Sequence, residues 1–192
     1  MRKIVSSLFI SLDGVVESPD QWTPAYWSDE LGEAIGGLMG SSDAMLLGRI
    51  TYEEFAPAWS SREMADDPGA DFMNNTPKFV VSKTLESADW TNSTVVRGDL
   101  AEEVGKLKQQ SGGDITISGS GTLVRSLLAD GLVDELHLFV HPVVVGHGKR
   151  LFPEGVPQQA LKLASATAFG TGVVHLAYHP QTAASAAEPS QS

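Results

Sequence analysis

Cysteine is absent from the 192 residues, which excludes disulfides, thiolate metal sites and cysteine nucleophiles. Positive charge is scarce as well: 13 Lys and Arg stand against 24 Asp and Glu, a net charge of −11. A chain this acidic is a poor general binder of nucleic acid or of anionic membrane, so any phosphate ligand must be held by a few locally placed cations. No apolar run approaches the ~20 residues needed to cross a bilayer. Arg2 and Lys3 precede the apolar run that opens the chain, as in an export signal. Asp13 ends that run early and no small-residue cleavage site follows, so the segment reads as a first strand and the protein as cytoplasmic. Internal repeats, basic runs and heptads are also missing.

What is present is a hydrophobic content of 42%, enough for a packed core in one domain over residues 1–180. The small, polar end, 181–192, reads as a disordered tail. The organising stretch is Gly112 to His141. Ile115 to Ser118 is short and β-branched, Gly119-Ser120-Gly121 breaks it, Leu123, Leu127 and Leu128 recur at helical spacing, and Val133 to Val140 extends again. That is a βαβ unit. Its glycine turn opens onto a helix N-terminus, where free N–H groups and the dipole attract anions. The same residues also read as a plain tight turn, since the full G-x-G-x-x-G spacing is missing.

Two earlier strand ends carry comparable devices. Ala44 to Leu47 runs into Gly48-Arg49-Ile50-Thr51, where Thr51 and Glu54 predict a capping box that would set Arg49 at a second helix start. Phe79 to Val81 is followed by Ser82-Lys83-Thr84, hydroxyls with one cation. Three such turns in an acidic chain favour one shared dinucleotide over coincidence.

The other segments complete an α/β pattern. Lys3 to Ile10 puts Ile4, Leu8 and Ile10 on one face and Val5 and Phe9 on the other, the mark of a central strand. Asp13-Gly14 turns the chain at its carboxyl end, and Trp22, Tyr26 and Trp27 follow in a proline-containing loop. Ser28 is placed to cap a helix ending at Gly40, and Asp99 to cap one striped by Leu100, Val104 and Leu107. Residues 56–77 read as irregular, with one helical turn at Arg62 to Ala65. Leu161 to Phe169 and Gly172 to Tyr178 predict a terminal antiparallel hairpin. His137 and His141, like His175 and His179, lie four apart on strands, about 13 Å, too far to ligate one metal as neighbours; no metal site is expected.

Taken in order, these segments resemble the dihydrofolate reductase superfamily, and within it the C-terminal reductase domain of bifunctional riboflavin biosynthesis enzymes and its stand-alone relatives. The resemblance rests on Ser11-Leu12-Asp13-Gly14, Leu47 to Glu53, Val80 to Leu85, Ile117 to Leu123, Val133 to Leu138 and Gly148 to Pro153, and it spans residues 3–178. It implies a mostly parallel central sheet flanked by helices, with NADPH across the strand ends. Gly48, Arg49 and Thr51 would contact the cofactor phosphates, and Ser82 and Lys83 the adenosine 2′-phosphate. Gly119, Ser120, Gly121 and Thr122 would cradle the pyrophosphate. Asp13, Trp22 and Trp27 would face nicotinamide and substrate, with Asp13 supplying a proton or orienting a water.

The implied activity is hydride transfer to a pterin-like or ribosylaminopyrimidine-like small molecule, similar to 5-amino-6-(5-phosphoribosylamino)uracil reductase. The segment Thr51 to Trp59 lacks the threonine-and-arginine pattern of that branch and stands closer to the folate-reducing one. Asp66-Asp67-Pro68 matches part of the riboflavin pattern without its arginine. Asp29 or Glu30 would then supply the carboxylate a folate enzyme needs. A non-catalytic NADPH-binding or sensor protein is the reading from another class. The resemblance also implies a homodimer paired through an outer edge strand.

Overall fold

Apolar residues alternate along the first segment, and the strand they form carries the sheet. β1 (Ile4–Ser11) sends Ile4, Leu8 and Ile10 into one apolar cluster and Phe9 into another on its opposite face, as a strand covered on both sides must. The computed structural model describes residues 1–65 and 67–181. It continues with α1 (Asp29–Gly40), β2 (Ser42–Gly48), α2 (Arg49–Trp59), α3 (Ala70–Asn75), β3 (Lys78–Val81) and β4 (Ser93–Val96). Then come α4 (Leu100–Gln109), β5 (Asp114–Ser118), α5 (Gly121–Ala129), β6 (Glu135–His141), β7 (Leu161–Ala168) and β8 (Val174–Pro180).

The strands form one sheet in the order β4-β3-β2-β5-β1-β6-β8-β7. Pairing is parallel from β4 through β6, and β8 and β7 close the sheet as an antiparallel hairpin. This is the expected α/β architecture, with β1 inside the sheet. The tail expected over 181–192 lies, Gln181 apart, outside the described residues, as does Asp66.

One face of the sheet is covered by α4 and α5, which pack Val104, Leu107, Leu123, Val124 and Leu127 against Ile4, Leu46, Ile115, Ile117 and Leu136. The other face has two covers, which meet at Met39 of α1. Tyr52 of α2 and Met73 of α3 pack on Met45, Leu47 and Val80, whereas Leu31, Ile35 and Leu38 of α1 pack on Phe139 and Phe9. Between these covers, alternation with Ile115 and Ile117 turns Thr116 and Ser118 to the same face. Ser7 stands in register with Ser118. A seam of hydroxyl side chains thus divides the two apolar clusters.

The span 56–77 corrects the sequence reading. α2 runs on to Trp59 through Pro57 and α3 is a second helix, while the turn expected at Arg62 to Ala65 is a single one, closed by Asp67 N to Glu63 O (3.2 Å). What fixes α3 is long-range: the Asn74 amide donates to the carbonyls of Trp59 (3.0 Å) and Arg62 (3.1 Å) and its oxygen accepts from Trp90 Nε1 (2.8 Å). No local periodicity announces such bonds.

Candidate active site

β3, β2 and β5 are adjacent and parallel, so the turns that follow them leave one edge of the sheet, the edge at which open α/β sheets take ligands. The second and third of these turns are bonded to each other. Gly48 N donates to Ser120 Oγ (2.9 Å), and Ser120 N donates to Thr51 Oγ1 (3.0 Å). Gly119 sits at φ 68°, and a Cβ there would lie 3.1 Å from Thr51 Cγ2, so only glycine fits without strain. Thr51 therefore does not cap. α2 begins two residues earlier at Arg49, with Gly48 at its N-cap, and the Thr51 hydroxyl serves the neighbouring turn instead.

Neither α2 nor α5 has a side-chain cap. By contrast Ser28 Oγ accepts from Leu31 N on α1 (3.2 Å) and Asp99 Oδ1 from Glu102 N on α4 (3.1 Å), both as expected. The first N–H groups of an uncapped helix point outward and carry the positive end of the dipole, and here two such ends stand together. The remaining predicted residues flank them. Arg49 pairs with Glu53 at 2.7 Å on the surface. Lys83 is exposed, and Ser82 Oγ accepts from Thr84 N (3.2 Å) and Leu85 N (2.9 Å), fixing the turn after β3. Gly121 opens α5, and Thr122 Oγ1 accepts from Arg125 Nη2 (3.0 Å).

Asp13 does not fit the role of proton donor. Its carboxylate accepts from Ser11 Oγ (2.7 Å), Val145 N (3.0 Å) and Gly146 N (2.8 Å), with Arg150 Nη2 at 3.5 Å. The Ser11 hydroxyl and the two backbone N–H groups hold it well below the usual carboxylate range, so at neutral pH it has no proton to give. It fastens the turn after β1 to the loop after β6, helped by the Val15–Arg150 bridge and the Lys149–Glu17 pair (3.0 Å).

The aromatic loop is also rearranged relative to expectation. Trp27 is 60% exposed and lies against Gly32, so it is Trp22 and Tyr26 that turn inward. Their rings meet His141 edge-on, with centroids at 5.4 and 5.8 Å, and Phe9 meets it at 5.3 Å. His141 is fully buried at the carboxyl end of β6. On the sequence alone it stands on a strand four residues from His137, and its place at that strand's carboxyl end is the available signal. Asp29 and Glu30 are exposed in the first turn of α1, and Glu30 Oε2 accepts from Gly170 N (2.8 Å).

His137 and His175, distant in sequence, touch across β6 and β8 with Nδ1 and Nε2 2.9 Å apart. Among the described residues, no group of three or more His, Asp or Glu is placed to hold a metal ion.

Known proteins give this arrangement its context. The model of the RibD C-terminal domain matches residues 2–175. An uncharacterized protein, YyaP, of Bacillus subtilis is 30% identical over 186 residues, covering 93% of this chain and 95% of its own. A putative riboflavin biosynthesis protein from Shewanella sp. PV-4 superposes with TM-score 0.76 at 19% identity, over 95% of this chain and 100% of that one. The bifunctional diaminohydroxyphosphoribosylaminopyrimidine deaminase/5-amino-6-(5-phosphoribosylamino)uracil reductase of Thermotoga maritima does so with TM-score 0.66 at 16% identity, over 94% of this chain and 57% of that one. Fold, hairpin and matched residues agree, and the chain belongs to the RibD C-terminal domain family.

Proposed function

We propose that this chain is an NADPH-dependent reductase that transfers a hydride to a pterin-like or ribosylaminopyrimidine-like small molecule. Family membership supports an oxidoreductase, and the observation that carries the cofactor is the pair of uncapped helix N-termini joined through Ser120 and Thr51. Both hydroxyls are acceptors in those bonds, so each keeps its own hydrogen to donate to a phosphate oxygen. Gly48, Arg49 and Thr51 on one side and Gly119 to Thr122 on the other would hold the pyrophosphate. Ser82 and Lys83, one strand further along the edge, would meet the 2′-phosphate, which favours NADPH over NADH. When bound, the nicotinamide supplies the hydride. The protein's own part is to orient the ring and exclude water under the Trp22 and Tyr26 loop, with Asp13 fixing the turn after β1 against the loop after β6.

Titration of the purified protein with NADPH and NADH tests this reading: tight binding of NADPH and weak binding of NADH is expected, and equal or absent binding overturns it. The engagement of Asp13 favours one second reading, a protein that binds NADPH without turning over a substrate. Hydride transfer to any pterin or aminopyrimidine removes that reading. β7 is the outer strand of the sheet, and all its residues after Leu161 are exposed, which supports pairing of two copies there; a monomeric mass in solution would exclude it.

A further inference from the structure

We propose that His141 reads the substrate's ring, its Nε2 accepting a hydrogen bond from a ring N–H in the place now closed by Trp22 and Tyr26. The inference rests on the reductase reading for its choice of substrate class, and on the following geometry for its residue. His141 Nδ1 lies 2.9 Å from the Phe139 carbonyl oxygen. A carbonyl only accepts, so Nδ1 carries the hydrogen and the neutral ring has its lone pair at Nε2. Nε2 is buried and has no hydrogen-bond partner. Most buried polar atoms in folded proteins are satisfied, and an exception needs an explanation; Ser6 Oγ, Ser93 Oγ and Thr171 Oγ1 are unpaired as well, and of the four His141 is the one that meets the rings of an outer loop.

The surroundings specify the shape of an incoming partner. Phe9, Trp22 and Tyr26 each meet the imidazole edge-on. Phe9 belongs to the core, but the other two come from the loop of two 3-10 turns, Pro19–Gln21 and Pro24–Tyr26. The backbone bonds of that loop close on itself: Trp22 N to Pro19 O, Thr23 N to Pro19 O, Tyr26 N to Thr23 O. Trp22 Nε1 is likewise held locally by Glu17 O (3.0 Å), and the Tyr26 hydroxyl reaches the Pro142 carbonyl only at 3.5 Å. The loop can thus lift as a unit without breaking a sheet or helix hydrogen bond. A flat ring entering beneath it would find aromatic walls and one acceptor.

Location agrees. β6 pairs with β1, which pairs with β5, and the turn after β5 is the Gly119 to Thr122 turn of the proposed cofactor site. The cage lies two strands along the same edge. An acceptor without a donor of its own selects rings that present N–H, and rejects rings in which that hydrogen is replaced by methyl, because the methyl both clashes and leaves Nε2 unpaired.

The test uses 5,6-diaminouracil and its 1,3-dimethyl analogue as probes, titrated calorimetrically into wild type, His141→Phe and His141→Gln, with and without NADPH. Wild type is expected to bind the N–H compound about tenfold or more tighter than the dimethyl one. His141→Phe should lose that preference, and His141→Gln, whose amide oxygen also accepts, should recover part of it. A wild type with no preference, including one that binds neither probe, overturns the proposal, as does a preference that survives in His141→Phe. Nitrogen-15 NMR of the full chain gives a separate check: the Nδ1–H tautomer of His141 is expected, and an Nε2–H tautomer overturns the assignment. NADPH titration of the same proteins keeps the two readings apart, since loss of cofactor binding by wild type defeats the reductase reading alone, while probe preference is read in the apoprotein.

Discussion

The two edges of the sheet are made by the same strands and are treated in opposite ways. At the amino edge, buried Arg2 spans Asp43 and the Gly113 carbonyl, Asp134 accepts from Lys108 (2.6 Å) and from Ile4 N (2.7 Å), and Lys3 meets Glu135 (2.7 Å). Lys78 is 1% exposed there, with Nζ donating to the carbonyls of Asn74 (3.0 Å), Thr76 (2.9 Å) and Thr91 (2.9 Å). At the carboxyl edge two helices start without caps, Lys83 is exposed, and His141 keeps an unpaired buried nitrogen. Satisfied polar groups stabilise a fold, and unsatisfied ones cost it free energy. Ser93 Oγ at the start of β4 is buried and unpaired too, so the contrast lies in the paired charges of the amino edge against the open helix starts of the carboxyl edge, which is the edge proposed to bind.

The sharpest way to break that division is at Lys78. Lys78→Met leaves three carbonyls without their donor and should cost about 3 kcal/mol of stability, read from the urea midpoint. Burial also draws the Lys78 ammonium down from 10.5 to about 8. Between those values the unfolded chain holds the extra proton, so wild-type stability should rise with pH across that window, and the Met variant should lack the slope. A flat wild-type profile would contradict the assignment.

Arg49→Ala is the counterpart on the other edge. Its pair with Glu53 is exposed, so the unfolding midpoint should stay put, while NADPH affinity should fall by about 2 kcal/mol. A change in the midpoint with unchanged NADPH affinity would reverse the comparison. Gly119→Ala should touch both properties, destabilising by about 1 to 2 kcal/mol through its positive φ and loosening the turn bonded to Thr51. The smallest effect is acidic. Burial lowers the pKa of both His141 and His175, with repulsion from His137 adding to the second. The folded state therefore binds fewer protons than the unfolded chain, and stability should decline as pH falls below about 6.5. Equal urea midpoints at pH 7.5 and 5.5 would contradict this.

Features set by neighbours in sequence were legible, and those set across the fold were not. Ser28 and Asp99 announce their helices because a cap bonds three residues away. The hairpin and the strand-end turns follow from alternation and glycine placement. Thr51 carries the same local signal as a cap, yet its partner is 69 residues on, and that bond wins. Asp13 was placed correctly at a strand end, but its partners Val145 and Gly146 are invisible at that range. The inward aromatic is Tyr26 rather than Trp27 because the second 3-10 turn ends there and rotates the next side chain outward.

The hydroxyl seam of Ser7, Thr116 and Ser118 has a consequence for how substitutions on the two covers combine. Leu31, Ile35 and Leu38 of α1 pack in one cluster while Met39 of the same helix packs in the other, so changes at Leu31 and at Met73 should add, whereas a change at Met39 should couple to the α2–α3 cover.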